Sequence, residues 1–174
     1  LVYNPPHVTK NLISKVGLED WQQAFDGTYK SMVAATEAVL PSMSKQKSGS
    51  IVINSSLAAI EPIDALSLSS VLRGGIDNWV KLMAKEYGPQ GVRVNTVLPG
   101  YTDTAAVRKG MKKKADAQGK TVEEVIKTFC ANVPLGRLAK PEEMANAFLF
   151  LASSQASFVT GTHLLVDGGL VKGV

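Results

Sequence analysis

The chain has 174 residues, of which 45% are hydrophobic and 20% charged, with a formal net charge of +4. That length suffices for one domain with a sizeable core, and no apolar run approaches the ~20 residues of a membrane span. Cys130 is the only cysteine, which excludes an internal disulfide, suits a reducing, cytoplasmic compartment and, beside two distant histidines, leaves no zinc spacing.

Leu1 to Tyr3 reads as the end of a buried strand, closed by Asn4-Pro5-Pro6, because consecutive prolines cannot continue a ladder. A helix is expected from Leu18, with Glu19 and Asp20 favourably placed in its first turn. Trp21, Phe25, Met32, Thr36 and Leu40 recur at helical spacing through Met43 and predict one buried stripe. The next strand is Ser50 to Asn54, whose consecutive Ile51, Val52 and Ile53 suit burial on both faces.

A second long helix is expected over Asp64–Tyr87, with Leu68, Leu72, Ile76, Trp79, Val80 and Met83 inward. Gly74 and Gly75 each cost about 1 kcal/mol against alanine in a helix interior, so close approach of another backbone is expected there. Gly88-Pro89 ends the helix, and Val92 to Leu98 forms a third strand stopped by Pro99-Gly100. Arg108, Lys109, Lys112, Lys113, Lys114 and Lys120 then crowd into one stretch. Such a run attracts phosphates, though its plainer reading is a solvated, mobile segment. No aromatic residues interleave with the lysines, so a nucleic-acid stacking platform is unsupported.

Thr121 and Glu124 form a capping-box pattern that opens a shorter helix with Val122, Val125, Ile126 and Phe129. Pro141 starts another, carrying Met144, Ala147, Phe148 and Leu151 inward. A final strand spans roughly Thr162 to Val166, before the turn Asp167-Gly168-Gly169. Strands alternating with helices predict an α/β fold with a parallel sheet wound by right-handed crossovers. One domain is the economical organisation. With about four strands and a stub first, whose far edge would leave unpaired backbone groups, the chain reads as N-terminally truncated.

The stretch Ile51–Arg73 draws attention as a site. In a parallel α/β sheet ligands bind at the carboxyl ends of strands, and here a strand ends in Asn54-Ser55-Ser56 before a helix. His7 and His163 read as ordinary surface or packed residues.

Several segments in order resemble the short-chain dehydrogenases/reductases, in particular the 3-oxoacyl-carrier-protein reductase-like group. LVYNPP stands where that family has a strand ending in Asn-Asn-Ala-Gly. LEDWQQAF and AVLPSM are similar to the following helix, and IVINSS to the strand with the catalytic serine. VRVNTVLPGYTDT resembles the strand and Pro-Gly loop beside the nicotinamide, and VPLGRLAKPEEMANAFLFLAS with VTGTHLLVDGG the C-terminal signature. The resemblance implies the C-terminal two-thirds of a doubly wound, parallel-sheet Rossmann fold. It also implies an NAD or NADP cofactor, a small carbonyl or alcohol substrate, and a homodimer or homotetramer built on the two long helices. The family's glycine-rich phosphate loop has no counterpart here, so this stretch alone is not expected to hold a dinucleotide tightly.

By the same resemblance Ser56 stands at the catalytic serine. The family's tyrosine lies thirteen residues further on and its lysine four beyond that, positions taken here by Ser69 and Arg73. The asparagine usual seven residues after the tryptophan is replaced by Thr28. Cofactor contacts carried over by position are Asn4, Arg73, Pro99, Gly100, Thr102 and Thr104, while Pro5-Pro6 restrict the close approach that glycine would permit. Carbonyl reduction requires a proton from an acid tuned near the working pH. Serine is far too weak for that, and arginine's planar fork is not a compact ammonium. Tyr3 and Tyr101 are the nearby alternative acids. Three functions follow: a reductase with an altered proton relay, acting on an acyl thioester or other carbonyl; a dinucleotide-binding homologue whose chemistry is lost or changed, serving as a regulatory or structural subunit; or an unrelated activity on the same scaffold.

Overall fold

The computed structural model describes residues 1–173. Four parallel strands, β1 (Val2–Tyr3), β2 (Gly49–Asn54), β3 (Val92–Pro99) and β4 (His163–Val166), lie side by side in sequence order. Ile51, Ile53, Val92 and Val94 point to one face and pack with Met32, Leu40, Ile76 and Val80. Val52 and Val97 point to the other and meet Leu151, Ala156 and Phe148. Because side chains alternate along a strand, the consecutive apolar residues of β2 feed both layers. Helices therefore cover both faces.

The first long helix is not uniform. It runs as α1 (Leu18–Phe25), a π turn (Asp26–Lys30) and α2 (Ser31–Gln46). Its buried line is Ala24, Thr28, Met32, Thr36 and Leu40, in steps of four. Four residues overshoot an α-helical turn of about 3.6, and the wider π turn absorbs part of the excess. That shift carries Phe25, expected inside, to 44% exposure, where it stacks on Tyr29 with ring centroids 5.3 Å apart. Trp21 is half-buried against Ala24, Leu68 and Leu72.

The second long helix opens with a 3-10 turn at Asp64–Leu66 and continues as α3 (Ser67–Tyr87). Its inward residues are as expected, with Trp79 and Met83 half-buried against the core. The two glycines have different neighbours. A Cβ on Gly74 would lie 3.6 Å from the Ala59 carbonyl oxygen, an ordinary contact. A Cβ on Gly75 would lie 1.8 Å from the Tyr29 hydroxyl, which donates to the Leu72 carbonyl at 2.9 Å. At Gly75 the close approach is thus a tyrosine side chain rather than a backbone.

β1 is a two-residue strand beside β2, with Leu1 and Tyr3 packed against the core. One further expectation is corrected. The basic stretch is not a loose segment but a helix, α4 (Ala105–Gln118), capped by the Thr104 hydroxyl and ended at Gly119 with φ 62°. Val107, Met111 and Ala115, one turn apart, give it an apolar face against α5 (Val122–Phe129). That face is what a solvated run lacks. Thr121 and Glu124 do form the expected capping box, and α6 (Pro141–Ala152) starts at its proline.

The helix pair α4–α5 leaves the sheet after β3 and returns before α6. Its two stems meet in a short parallel bridge, Thr102 beside Ala139. There the Ala139 amide donates to the Tyr101 carbonyl, and the Asp103 amide to the Ala139 carbonyl, each at 2.8 Å.

Candidate active site

All four strands end on the same side of the molecule, and the carried-over residues collect there by topology. Asn4 follows β1, Ser55 and Ser56 follow β2, and Pro99-Gly100 close β3. The Asn54 side-chain amide donates to the Asn4 side-chain Oδ1 at 2.7 Å and ties the first two strand ends together. Ser56 caps the 3-10 turn Leu57–Ala59, its oxygen accepting from the Ala58 amide at 3.2 Å. That bond uses a lone pair and leaves the hydroxyl proton free to donate.

Arg73 lies on the inner face of α3 and is only 8% exposed. Its Nη1 donates to the Asn54 carbonyl at 2.5 Å, so the guanidinium grips the end of the strand that leads to Ser56. Its Nε is buried with no partner among the described residues. Burial lowers its pKa, while Tyr3 and Asp77 act the other way. Ser69, one turn earlier, is half-buried at the start of α3. Serine 67 donates instead to the Asn11 carbonyl and Ser70 to the Leu66 carbonyl.

The other positions take structural work. Thr104 caps α4 through its hydroxyl, accepting from the Val107 amide at 3.3 Å. The Thr102 hydroxyl donates to the Gly100 carbonyl at 3.4 Å. Gly100 has a steric reason to be glycine, since a Cβ there would lie 2.6 Å from the Asp167 Cα. Thr28 is fully buried with its hydroxyl unpaired among the described residues. Pro6 packs against the π turn, 3.3 Å from where a Gly27 Cβ would be.

Neither alternative acid is well placed. The Tyr3 hydroxyl bonds Ser31 Oγ at 2.5 Å, and Ser31 in turn donates to the Gly27 carbonyl. Its proton is thereby engaged with the helix behind the strand. Tyr101 lies against Phe129, ring centroids 4.2 Å apart, and burial pushes its phenol pKa up.

One group of residues was not legible as part of the site. Tyr3, Ile53, Thr96 and His163 stand side by side across the sheet. Asp77, one turn beyond Arg73, meets the polar end of that row. His163, set aside from the sequence as ordinary, has its Nδ1 2.9 Å from the Thr96 hydroxyl and 3.7 Å from Asp77 Oδ1. Burial raises the Asp77 pKa and lowers that of His163. The available signal was a charged residue four places after Arg73 on an inward helix face.

Comparison with known proteins bears on the family and the fold. The family described as enoyl-(acyl carrier protein) reductase matches residues 3–171. The 3-oxoacyl-acyl-carrier-protein reductase FabG of Thermotoga maritima is 34% identical over 171 residues, 98% of this chain and 65% of that protein. The chain thus spans just under two thirds of the curated relative's length. An NADPH-bound short chain oxidoreductase from Pseudomonas aeruginosa PAO1, containing an atypical catalytic center, is 33% identical with a TM-score of 0.87. That similarity covers 99% of this chain and 65% of the other. L-sorbose reductase from Gluconobacter frateurii, complexed with NADPH and L-sorbose, is 27% identical with a TM-score of 0.94 over 99% of this chain and 66% of its own.

Proposed function

The chain belongs to the short-chain dehydrogenase/reductase family, and we propose that the complete protein is a nicotinamide-dependent oxidoreductase interconverting a small carbonyl compound and its alcohol through an atypical proton relay. The observation that carries this reading is the buried Arg73 guanidinium, fixed to the Asn54 carbonyl where β2 passes into Ser55-Ser56. A guanidinium at the end of β2, two residues before a serine hydroxyl free to donate, suits ribose hydroxyls and a carbonyl oxygen. The residues that would hold NAD or NADP here are Asn4, Arg73, Pro99, Gly100, Thr102 and Thr104, with the Pro99-Gly100 backbone beside the carboxamide. A bound nicotinamide supplies the hydride. Ser56 and Ser69 orient the carbonyl oxygen by donating to it, and Arg73 contributes fixed positive charge where negative charge develops. The proton reaches that oxygen from water relayed along these hydroxyls, since neither Tyr3 nor Tyr101 is placed to give one.

That same placement favours a second reading, in which the protein binds a dinucleotide without turnover and serves as a regulatory or structural subunit. Incubating the complete protein with NADPH or NADH and a panel of ketoacyl thioesters, ketones and sugars separates the two. Turnover on any of them establishes the oxidoreductase. Tight cofactor binding with no turnover across the panel establishes the binding subunit. A homodimer or homotetramer formed through the α1–α2 and α3 helices belongs to the same proposal.

The basic face of α4 narrows the substrate. Arg108 is paired with Asp103 and Lys112 with Asp116, while Lys114 lies over the Phe129 ring, 5.4 Å from its centroid. A phosphate-bearing acyl carrier would draw on this charge. Neutralising Lys112, Lys113 and Lys114 together is expected to raise KM for such a substrate several-fold, on the order of tenfold at low salt, with kcat unchanged. An unchanged KM removes the phosphate from the proposal.

A further inference from the structure

Past β4 the chain turns sharply and is held. Asp167 Oδ1 accepts from the Gly169 amide at 2.9 Å and its Oδ2 from the Val171 amide at 2.7 Å. Gly168 and Gly169 have φ of 68° and 86°, the left-handed region that glycine enters without strain. An added Cβ would stand 2.9 Å from Val133 Cγ1 at the first and 2.9 Å from Pro134 Cγ at the second. The Leu135 amide donates to the Gly168 carbonyl at 3.3 Å, and Leu170 packs on Cys130, Val133 and Leu138. Asp167 to Leu170 therefore form a fixed hook.

Past Val171 the hold is different. The Lys172 amide donates to Glu61 Oε2 at 3.3 Å, and both residues are exposed. It is the one hydrogen bond made by Lys172 or Gly173 among the described residues. Glu61 lies in the loop that joins Ser56 to Ser69, the two hydroxyls assigned above to the carbonyl oxygen. That loop leaves β2, the tail leaves β4, and β3 with Pro99-Gly100 at its end lies between them. One exposed hydrogen bond thus spans the strand end beside which the proposed function puts the nicotinamide. A bond of that kind opens readily in water, whereas the hook behind it is held by several contacts at once.

We propose that the hook and the Glu61 loop form a strap across the candidate site, with the Lys172–Glu61 bond as its clasp, and that the clasp selects substrates by size. This rests on the oxidoreductase reading given above. Small carbonyl compounds fit with the clasp made. A bulky one binds only the open form, so its apparent affinity is reduced by the fraction of molecules that are open. Breaking the clasp raises that fraction and leaves small substrates unaffected. Glu61 is thereby a specificity-determining residue that acts without touching the reacting atoms.

The test uses the complete protein with NADPH or NADH and matched ketones carrying small or bulky substituents. Glu61→Ala removes the acceptor and is expected to raise kcat/KM for bulky ketones about fivefold relative to small ones, a factor that one hydrogen bond contributes. Exchange of the Lys172 amide, followed by NMR, is expected to quicken by a similar factor, while the Gly169 and Val171 amides keep their protection. Glu61→Gln keeps an acceptor oxygen and is expected to retain both parent values, which separates the clasp from the charge. Ending the chain after Val171 removes the donor instead and is expected to shift selectivity as Glu61→Ala does. A Lys172 exchange rate unmoved by Glu61→Ala overturns the clasp, and quickened exchange with unchanged selectivity overturns its role as a gate. If the parent turns over no carbonyl compound, the oxidoreductase reading is what falls, and the same selectivity is read from ketone Kd values in the presence of NADPH. Ketones that neither react nor bind take the gate down with that reading.

Discussion

Arg73→Ala in the complete protein is expected to lower kcat/KM by at least about a hundredfold, the lower end of what a positioned catalytic group contributes. Two losses combine. The site forfeits its fixed positive charge, and the carbonyl at the end of β2 loses the donor that locates Ser55 and Ser56. Arg73→Lys separates them, because an ammonium restores charge and one hydrogen bond but not the planar fork. It is expected to recover most of the cofactor affinity and only part of the turnover. A kcat/KM for Arg73→Ala within threefold of the parent would remove Arg73 from the mechanism.

The same substitution leaves a signature in stability against pH. Burial holds the Asp77 pKa above the usual carboxylate value, so the folded chain binds that proton more tightly than the unfolded one. The stabilisation is fully present below the ordinary carboxylate pKa and is lost as pH rises through the raised one. Arg73 lowers the Asp77 pKa, and its removal raises it further. Stability of the alanine variant is therefore expected to decline with rising pH over a wider acidic window than in the parent, as read by urea denaturation at several pH values.

Gly100→Ala is expected to destabilise the fold by about 2–4 kcal/mol, combining overpacking with a lost hydrogen bond. The new Cβ would stand 2.6 Å from the Asp167 Cα and 2.8 Å from its Cβ. A backbone neighbour cannot rotate away as a side chain can. The Gly100 amide also donates to the Val166 carbonyl at 2.9 Å, beyond the last paired residues of β3 and β4. The turn after β4 would have to move, and Asp167 with it, whose carboxylate accepts from the Gly169 and Val171 amides. Gly110→Ala in α4 is the control. Nothing lies within 4 Å of its added Cβ, and alanine there is expected to gain up to about 1 kcal/mol. A Gly100→Ala midpoint within error of the parent would show that the turn yields freely.

The parallel sheet, the start of the helix at Leu18, the Thr121 capping box and the Pro141 helix were legible because each has a local cause. Alternating apolar layers, caps and a proline at the first turn act over a few residues. The π turn was not, because consecutive α and π turns share residue types and differ in register, which is set by what the helix packs against. The fate of Phe25 followed from that register. α4 was misread because five basic residues mask Val107, Met111 and Ala115, whose spacing is helical.

Of the site, the positions of Ser56, Ser69 and Arg73 came from their spacing within a resemblance, and the structure brings Ser56 and Arg73 to the end of the same strand. The contact of Asp77 with His163 was invisible for a different reason. His163 lies eighty-six residues beyond Asp77 in the chain, and only the pairing of β3 with β4 brings it alongside.

The bridge between Thr102 and Ala139 has a wider meaning. It closes the neck of the thirty-six intervening residues on one side, and on the other the Leu135 amide donates to the Gly168 carbonyl at 3.3 Å while Leu170 packs on the Val133 cluster. Substitutions on the outer faces of α4 and α5 are expected to leave the strand ends in place, whereas substitutions at Val133, Leu135 or Leu170 are expected to shift the turn after β4. Under the proposed function, binding preference can drift on those outer faces while the strand ends stay fixed.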